Sequence, residues 1–222
     1  MSSPADPRER LRAARLYLIL ESSVRGRAAA EVVGPALAGG VDVVQLRDKS
    51  AGDDEIVATG RELRELCERH GALFAINDRV DLALRCGAHG VHLGQDDERV
   101  DAARRQAGDR LLIGVSTHSP EQIAAGEGSA ADYLGVGPVH ETPTKPGRSA
   151  VGLELVRHAA AHADKPWFAI GGIDAGNAPA VVAAGARRVA VVRAIRDAAD
   201  PERAARELRA AIDAEALVGQ AV

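Results

Sequence analysis

The sequence predicts a single α/β domain folded as a (β/α)₈ TIM barrel, and three observations lead to this expectation. Short apolar runs rich in Val, Ile and Leu alternate with longer Ala-rich stretches of helical spacing, which is typical of buried parallel strands joined by helices. Eight such runs occur in 222 residues, close to the usual length of an eight-unit barrel. Polar clusters follow the runs, and in a barrel the loops after the strands all lie at one face.

The eight predicted strands are short and evenly spaced along the chain. They cover residues 16–20, 42–46, 73–76, 90–93, 111–115, 133–136, 167–170 and 188–191. Helices are predicted between and after them, for example over 53–70 and 201–212. An open doubly wound sheet usually has fewer strands and a switch in strand order, so the uninterrupted series favours closure. We expect one domain over residues 1–222, with residues 1–12 as a flexible extension.

Composition excludes several classes of partner. The chain has 28 Lys and Arg against 32 Asp and Glu, a net charge of −4, and no basic block, so we expect neither nucleic acid nor an anionic membrane as a partner. No segment has the apolar length that spans a bilayer. Cys67 and Cys86 lack partners at metal-ligand spacing and are expected to be buried, reduced thiols. We therefore expect a cytoplasmic protein with small-molecule substrates. A homo-oligomer is compatible with the sequence, which singles out no interface.

The second predicted strand ends in a charged segment. Period-two alternation turns Gln45, Arg47 and Lys49 to the same side, and an amide with two cations suits an anionic ligand. The alternative is a solvated strand end in which Arg47 or Lys49 forms an ion pair with Asp48.

Carboxylates follow the third and fourth predicted strands. The third is followed by Asn77 and Asp78, and the fourth by Asp96 and Asp97. Two carboxylates on an open rim, with water and phosphate oxygens, form a reasonable Mg²⁺ site. We favour Asp78 and Asp97 as the ligands and Asp96 as the competing choice. The plainer alternative is that these acids cap the helices that start there.

The fifth and sixth strands precede hydroxyl-bearing segments. Ser116 can donate to a phosphate and His118 can act as a base, although Ser and Thr here also suit the start of a helix at Ser119. No acid that would orient the histidine is identifiable, so we predict no Ser/His nucleophile pair. The long segment 137–152 has the composition of a mobile loop over a site. Its Thr142, Thr144 and Lys145 offer two hydroxyls and a flexible cation for a phosphate.

The last two strands end in the usual phosphate-binding region of this architecture. Gly172 lies in a Gly-Gly pair after the seventh strand, and Val192 and Arg193 follow the eighth. Glycine lets backbone N–H groups approach an anion, and a helix N-terminus favours negative charge. The combination predicts a second phosphate site.

Six ordered motifs closely resemble the thiamine phosphate synthase family. They are VVQLRDK, FAINDRVDLAL with GVHLGQDD, IGVSTHS, DYLGVGPVHETPTK, FAIGGI and GARRVAVVRAI. The resemblance covers nearly the whole chain, except about the first dozen residues and the tail beyond residue 200. It implies a Mg²⁺-dependent transferase that couples hydroxymethylpyrimidine pyrophosphate to a thiazole phosphate, giving thiamine monophosphate and pyrophosphate. Attack by the thiazole nitrogen would follow dissociative loss of pyrophosphate.

The resemblance also implies roles for individual residues. Asp78 and Asp97 would hold Mg²⁺. The pyrimidine pyrophosphate would be held by Gln45, Arg47, Lys49, Asn77, Ser116 and Lys145, and the thiazole phosphate by Thr142, Thr144, Gly172, Val192 and Arg193. Arg47, Lys49, Lys145 and Ser116 would stabilise charge on the leaving group.

Two departures from the family pattern and two rival functions bear on this interpretation. Arg193 stands where the family often has Ser, and His140 where it commonly has an aromatic residue. A thiazole tautomerase would have a histidine in place of Pro138 and would lack the acid at Asp78, so both positions favour the synthase. A non-catalytic phosphate sensor would have no need for the metal acids and cations.

Overall fold

The protein forms a closed eight-stranded parallel barrel, which confirms the predicted TIM-barrel fold. The computed structural model describes residues 6–142 and 149–218. The barrel strands are β1 (Leu16–Leu20), β2 (Val43–Leu46), β3 (Leu73–Asn77), β4 (Gly90–Leu93), β5 (Leu112–Thr117), β6 (Tyr133–Val136), β7 (Trp167–Ile170) and β8 (Val189–Val191). Each strand pairs with its chain neighbours and β8 pairs with β1, so the barrel follows sequence order. A short hairpin joins Ser23–Val24 to Arg27–Ala28 after β1.

Ten α-helices lie in the described part of the chain. They are α1 (Pro7–Ala13), α2 (Ala29–Ala38), α3 (Asp53–Arg69), α4 (Val80–Cys86), α5 (Val100–Ala107), α6 (Pro120–Glu127), α7 (Gly152–His162), α8 (Ala178–Ala183), α9 (Arg193–Arg196) and α10 (Pro201–Val218). None of the helices in these ranges is long and apolar enough to cross a membrane.

The strands separate two hydrophobic layers, as the period-two geometry of a strand requires. In β1, Leu16, Leu18 and Leu20 pack outward against the helices, whereas Tyr17 and Ile19 point into the barrel. The interior layer is smaller than the outer one and contains three aromatic rings, from Tyr17, Tyr133 and Phe168. The interior is therefore a packed core below the strand ends and not a pore.

Residues 7–12 are helical and not part of the flexible extension that we expected over residues 1–12. Residues 1–5 lie outside the described residues, but helix α1 begins at Pro7 and places Leu11, only 3% exposed, in the interior layer of the barrel. Arg10 Nε donates to the carbonyl oxygen of Gly71 (3.2 Å), which ties the helix to the barrel. The physical reason is that the N-terminal end of a barrel also needs an apolar cover, and Leu11 supplies it.

Candidate active site

A cavity of about 340 Å³ opens at the C-terminal ends of the strands. Eight predicted binding residues line it: Gln45, Arg47, Asn77, Ser116, Thr142, Gly172, Val192 and Arg193. They come from several different loops and strand ends, so the barrel brings together residues that are far apart in sequence. Thr144 and Lys145, together with the rest of 143–148, lie outside the described residues.

The charged segment after β2 divides between the cavity and its rim. Gln45 is 2% exposed inside the barrel, and Arg47 lines the cavity. The Lys49 side chain is 68% exposed, with Nζ 4.0 Å from Asp78 Oδ2. Gln45 and Arg47 therefore meet in one cavity as predicted, whereas Lys49 lies closer to the solvent, beside the predicted metal ligand Asp78.

Asp48 holds this segment in place. Its carboxylate accepts hydrogen bonds from the backbone N–H groups of Ser22 (3.1 Å), Ser50 (2.9 Å) and Ala51 (3.1 Å). Partial burial raises the pKa of Asp48, but these bonds and the one from the Ser50 hydroxyl outweigh it and lower the pKa to about 2. The carboxylate thus anchors the loop that carries Arg47 and Lys49.

Asp78 and Asp97 meet at the rim and do not cap helices. Helix α4 begins at Val80 after Arg79, and α5 begins at Val100; neither has a side-chain N-cap hydrogen bond. Asp78 has a left-handed backbone (φ 64°), an uncommon conformation outside glycine that Asp tolerates better than most residues. Asp97 Oδ2 accepts a hydrogen bond from the backbone N–H of Gly94 (2.7 Å). The capping alternative is therefore wrong for both acids.

The electrostatics of this pair suit a divalent cation. Burial and the facing carboxylate of Asp97 raise the pKa of Asp78 to about 6, against the opposing effects of Lys49 and Arg47. Within residues 6–142 and 149–218, no cluster of three or more His, Cys, Asp or Glu could hold a metal. Mg²⁺ commonly uses only one or two protein carboxylates and takes its other ligands from water and phosphate oxygens. Asp78 and Asp97 therefore fit Mg²⁺ as a pair.

The two serines at the end of β5 and the start of α6 have different structural roles. Ser116 belongs to β5 and is 8% exposed, whereas Ser119 is the N-cap of α6 and accepts a hydrogen bond from the N–H of Gln122 (3.3 Å). The helix-start alternative therefore applies to Ser119 and not to Ser116. The His118 ring bonds to the carbonyl oxygen of Gly137, and its backbone N–H donates to Gln122 Oε1 (2.7 Å).

The inner end of the cavity, inside the barrel, forms its floor. Three residues of this floor were missed by the sequence analysis: Tyr17, His92 and Tyr133. The Tyr17 hydroxyl donates to Gln45 Oε1 (2.8 Å) and lies 3.1 Å from the Tyr133 hydroxyl. The His92 ring lies between Tyr133 (Nδ1 to hydroxyl, 3.3 Å) and Ser116 (Nε2 to Oγ, 3.0 Å). The sequence shows each of them only as a side chain with a polar end at an inward-facing position of a strand. Such a residue by itself indicates the hydrophobic core and not a binding site.

Two glycines make room for this floor. A Cβ on Gly114 would lie 2.2 Å from Cζ of Tyr133 and 2.5 Å from Nδ1 of His92. A Cβ on Gly135 would lie 3.2 Å from Cε1 of His92. Phe168 contacts both tyrosine rings edge-on, with centroids 5.1 Å from Tyr17 and 5.9 Å from Tyr133. Small residues on β5 and β6 thus allow large polar rings to fill the barrel.

The loop after β6 packs directly on the glycine pair after β7. Gly171 (φ 111°) and Gly172 (φ 62°) both have positive φ. A Cβ on Gly171 would lie 2.5 Å from Cα of Pro138, and one on Gly172 would lie 2.8 Å from Cβ of His140. The backbone N–H of His140 donates to the carbonyl oxygen of Gly171 (3.0 Å). The close approach of the two loops requires glycine here.

The cavity has two polar rims across from each other. In barrel order β3 and β4 stand opposite β7 and β8, so the loops that carry Asp78 and Asp97 lie across the barrel from the Gly-Gly pair and Arg193. Arg193 is exposed, lines the cavity and begins the four-residue helix α9. One rim thus combines acids with cations, and the other combines glycine backbone with Arg193 and Asp174. This arrangement can hold two anionic groups at a distance.

Comparison with known proteins agrees with this geometry. The family model described as Thiamine monophosphate synthase matches residues 16–195. The thiamine-phosphate synthase of Mycolicibacterium smegmatis is 52% identical over 218 residues, which cover 94% of this chain and 96% of that protein. That of Gloeobacter violaceus is 54% identical over 198 residues, which cover 89% of this chain but 57% of that protein. The chain thus spans little more than half of the latter relative.

Solved structures give the same result. A thiamine phosphate pyrophosphorylase from Pyrococcus furiosus superposes with a TM-score of 0.85 at 35% identity, covering 95% of this chain and 99% of that one. A 3-hexulose-6-phosphate synthase at 22% identity and a TM-score of 0.67 shares the fold alone. The family model covers most of the chain and the relatives exceed 50% identity, so the chain belongs to the thiamine monophosphate synthase family.

Proposed function

We propose that the protein is a thiamine-phosphate synthase that joins 4-amino-2-methyl-5-hydroxymethylpyrimidine pyrophosphate to 4-methyl-5-(2-phosphoethyl)thiazole, or to its carboxylated form. The products are thiamine monophosphate and pyrophosphate; the carboxylated thiazole would also release CO₂ and take up one proton at the carbon that loses the carboxyl group. The observation that carries the proposal is the cavity itself, whose floor lies between the loops that carry Arg47, Asp78 and Asp97 and the loops that carry the Gly-Gly pair and Arg193. One rim would take the pyrophosphate and the other the thiazole phosphate.

The reaction places few chemical demands on the protein. The bond between the pyrimidine methylene carbon and the pyrophosphate oxygen breaks, and the electron pair leaves with the oxygen. The thiazole nitrogen then forms the new C–N bond with its own lone pair. With the uncarboxylated thiazole no proton has to be transferred and no side-chain nucleophile is required, so the Ser116 hydroxyl, 3.0 Å from His92 Nε2, needs no covalent role.

The residues of the chain would then bind, orient and stabilise charge. Arg47, and Lys49 beside the acid pair, would hold the leaving pyrophosphate; Lys145 is predicted to join them. Asp78 and Asp97 would hold Mg²⁺, which supplies charge neutralisation for the departing pyrophosphate. Gly172 and Arg193 would hold the thiazole phosphate across the mouth, so that the two substrates meet in line above the floor. Positioning and electrostatic stabilisation are the main contributions to such a reaction.

A direct assay tests the proposal. Purified protein with both phosphorylated precursors and Mg²⁺ should release pyrophosphate and form thiamine monophosphate. Asp78→Asn should lower the rate at least a hundredfold, because the predicted metal pair loses a charge. Asp81→Asn is the matched control: this acid, on α4, forms an ion pair with Arg79 at the surface, whereas Asp78 faces the Asp97 carboxylate. Absence of product above background with the wild-type protein and fresh substrates would refute the proposal.

A further inference from the structure

The floor of the cavity contains one continuous chain of hydrogen bonds. It runs through six side chains on six strands, β1 to β6: Ser116, His92, Tyr133, Tyr17, Gln45 and Asn77. The contacts measure 3.0, 3.3, 3.1, 2.8 and 2.7 Å in that order. We call these six side chains the floor relay. All six line the cavity; its two ends are Ser116 and Asn77, and Tyr17 and Tyr133 in the middle are 2% and 3% exposed.

The donors in this chain run in one direction. The amide oxygen of Gln45 accepts from Tyr17, so the single hydroxyl hydrogen of Tyr17 is used there. At the contact between the two tyrosines, Tyr133 must therefore donate. Since Tyr133 has then used its own hydrogen, its oxygen accepts from Nδ1–H of His92. With hydrogen on Nδ1 alone, Nε2 accepts from the Ser116 hydroxyl.

This direction decides what the two ends present to a ligand. Ser116 donates its hydrogen to His92, so its oxygen meets the cavity as an acceptor. At the other end, Gln45 Nε2 donates to Asn77 Oδ1, so Asn77 meets the cavity with its amide N–H groups. Reversing the pattern would require both amides to turn over and the histidine to change tautomer together. Burial raises the pKa values of both tyrosines well above their ordinary range, so ionisation of Tyr17 or Tyr133 does not change either end.

The geometry points to Tyr17, Tyr133 and His92 as positioning residues that make the cavity selective for an aminopyrimidine over the corresponding oxopyrimidine. This inference rests on the proposed function. An aminopyrimidine offers an amine donor beside a ring-nitrogen acceptor, whereas its oxo counterpart offers a carbonyl acceptor beside a ring N–H donor. The two patterns are opposite. An acceptor at Ser116 and a donor at Asn77 match the amino form, and the oxo form would leave polar groups unpaired.

The first experiment tests the direction of the relay without any turnover. The ¹⁵N NMR shifts of His92 in the ligand-free wild-type protein at pH 7 distinguish the two neutral tautomers, and a His92→Gln variant assigns the signals. We expect hydrogen on Nδ1, the less common tautomer of a free histidine. Hydrogen on Nε2, or on both nitrogens, would overturn the inference. Because no substrate is present, this outcome is independent of whether the protein is a synthase.

The second experiment tests selectivity. The ratio of kcat/KM for the aminopyrimidine pyrophosphate to that for its 4-oxo analogue should fall about tenfold in Tyr17→Phe and in Tyr133→Phe, which corresponds to about 1.4 kcal/mol of lost discrimination. KM for the thiazole phosphate should not change. Each variant removes one hydroxyl and keeps the ring that packs against Phe168.

Thr117→Val is the matched control. Its hydroxyl is also fully buried and donates to the carbonyl oxygen of Gly135 (3.1 Å), but it lies one residue along β5 from Ser116 and outside the cavity. This variant should keep the wild-type ratio. An unchanged ratio in both tyrosine variants, or an equal fall in Thr117→Val, would overturn the inference. If the wild type forms no product, the proposed function fails, and the tautomer measurement still decides the relay.

Discussion

Gly114 provides a test of how tightly the barrel interior is packed. In a Gly114→Ala variant the new methyl group would lie 2.2 Å from Cζ and 2.5 Å from Cε2 of Tyr133, and 2.5 Å from Nδ1 of His92. Ordinary contacts between such atoms begin near 3.4 Å, so the end of the Tyr133 ring must recede by about 1 Å. The ring has little space to do so, because Phe168 and Tyr17 pack against it.

The expected loss of stability follows from two effects. Overpacking a well-filled core by one methyl group costs about 1–3 kcal/mol. A shift of about 1 Å would also stretch the hydrogen bonds of Tyr133 to Tyr17 (3.1 Å) and to His92 (3.3 Å) beyond hydrogen-bonding distance, at about 1 kcal/mol each. We therefore expect the free energy of unfolding to fall by about 3–5 kcal/mol, a large share of the roughly 5–15 kcal/mol that stabilises a domain.

Denaturant unfolding measures this loss, with the fluorescence of the single tryptophan, Trp167, as the signal. Gly128→Ala is the control. Gly128 ends α6 with φ −76°, and a Cβ there would lie 3.7 Å from its nearest neighbour, the carbonyl oxygen of Ala124. That variant should stay within about 0.5 kcal/mol of the wild type. A loss below about 1 kcal/mol in Gly114→Ala would show that the floor yields easily and would refute the packing argument.

Three further predictions concern Leu11 at the N-terminal end of the barrel, Asp48 in the loop after β2, and Gly172 after β7. Leu11→Ala should lower the free energy of unfolding by about 2–4 kcal/mol, because Leu11 is 3% exposed in the barrel interior; no loss in denaturant unfolding would mean that α1 is dispensable. Asp48→Asn should cost about 1–2 kcal/mol at pH 7. The pKa of Asp48 is lowered on folding to about 2, so its contribution is present above about pH 4 and is lost between about pH 4 and 2, where unfolding curves of variant and wild type should converge. Gly172→Ala should raise KM for the thiazole phosphate and leave KM for the pyrimidine pyrophosphate unchanged, since a Cβ at φ 62° would press on His140. Equal changes in both KM values would contradict a role of Gly172 in binding the thiazole phosphate.

The barrel was predictable because its signals are local. Each strand is a short run of apolar residues between helical segments, and the eight predicted ranges differ from the observed strands by at most two residues at either end. The polar clusters all follow strands, and in a barrel all loops after the strands lie at one face, so their location was predictable as well. That is why Gln45, Arg47, Asn77 and Ser116 could be assigned to one cavity from their positions in the sequence. Their individual roles stay predictions.

The cavity floor and the helix at the N-terminal end of the barrel were not predictable, because their contacts form only in the tertiary structure. Tyr17 and Tyr133 are 116 residues apart, and nothing near either one indicates that their hydroxyls lie 3.1 Å from each other. An inward aromatic residue in a strand is typical of core, and so are the glycines that make room for it. The N-terminal helix was missed for a similar reason: Leu11 is a single apolar residue in a charged segment, and only the open end of the barrel gives it a partner.

The structure separates charge from hydrogen bonding in a way that suits the proposed reaction. The charged groups, Arg47, Lys49, Asp78 and Asp97, lie at or above the rim, where charge on pyrophosphate would develop. Below them lies the floor relay, whose tyrosines are kept protonated by burial. A coupling that transfers no proton gains nothing from a titrating floor and would lose selectivity if the floor changed its donors and acceptors with pH. We therefore expect the pH dependence of the rate to arise at the rim, and the selectivity between amino and oxo pyrimidines to remain constant across the same range.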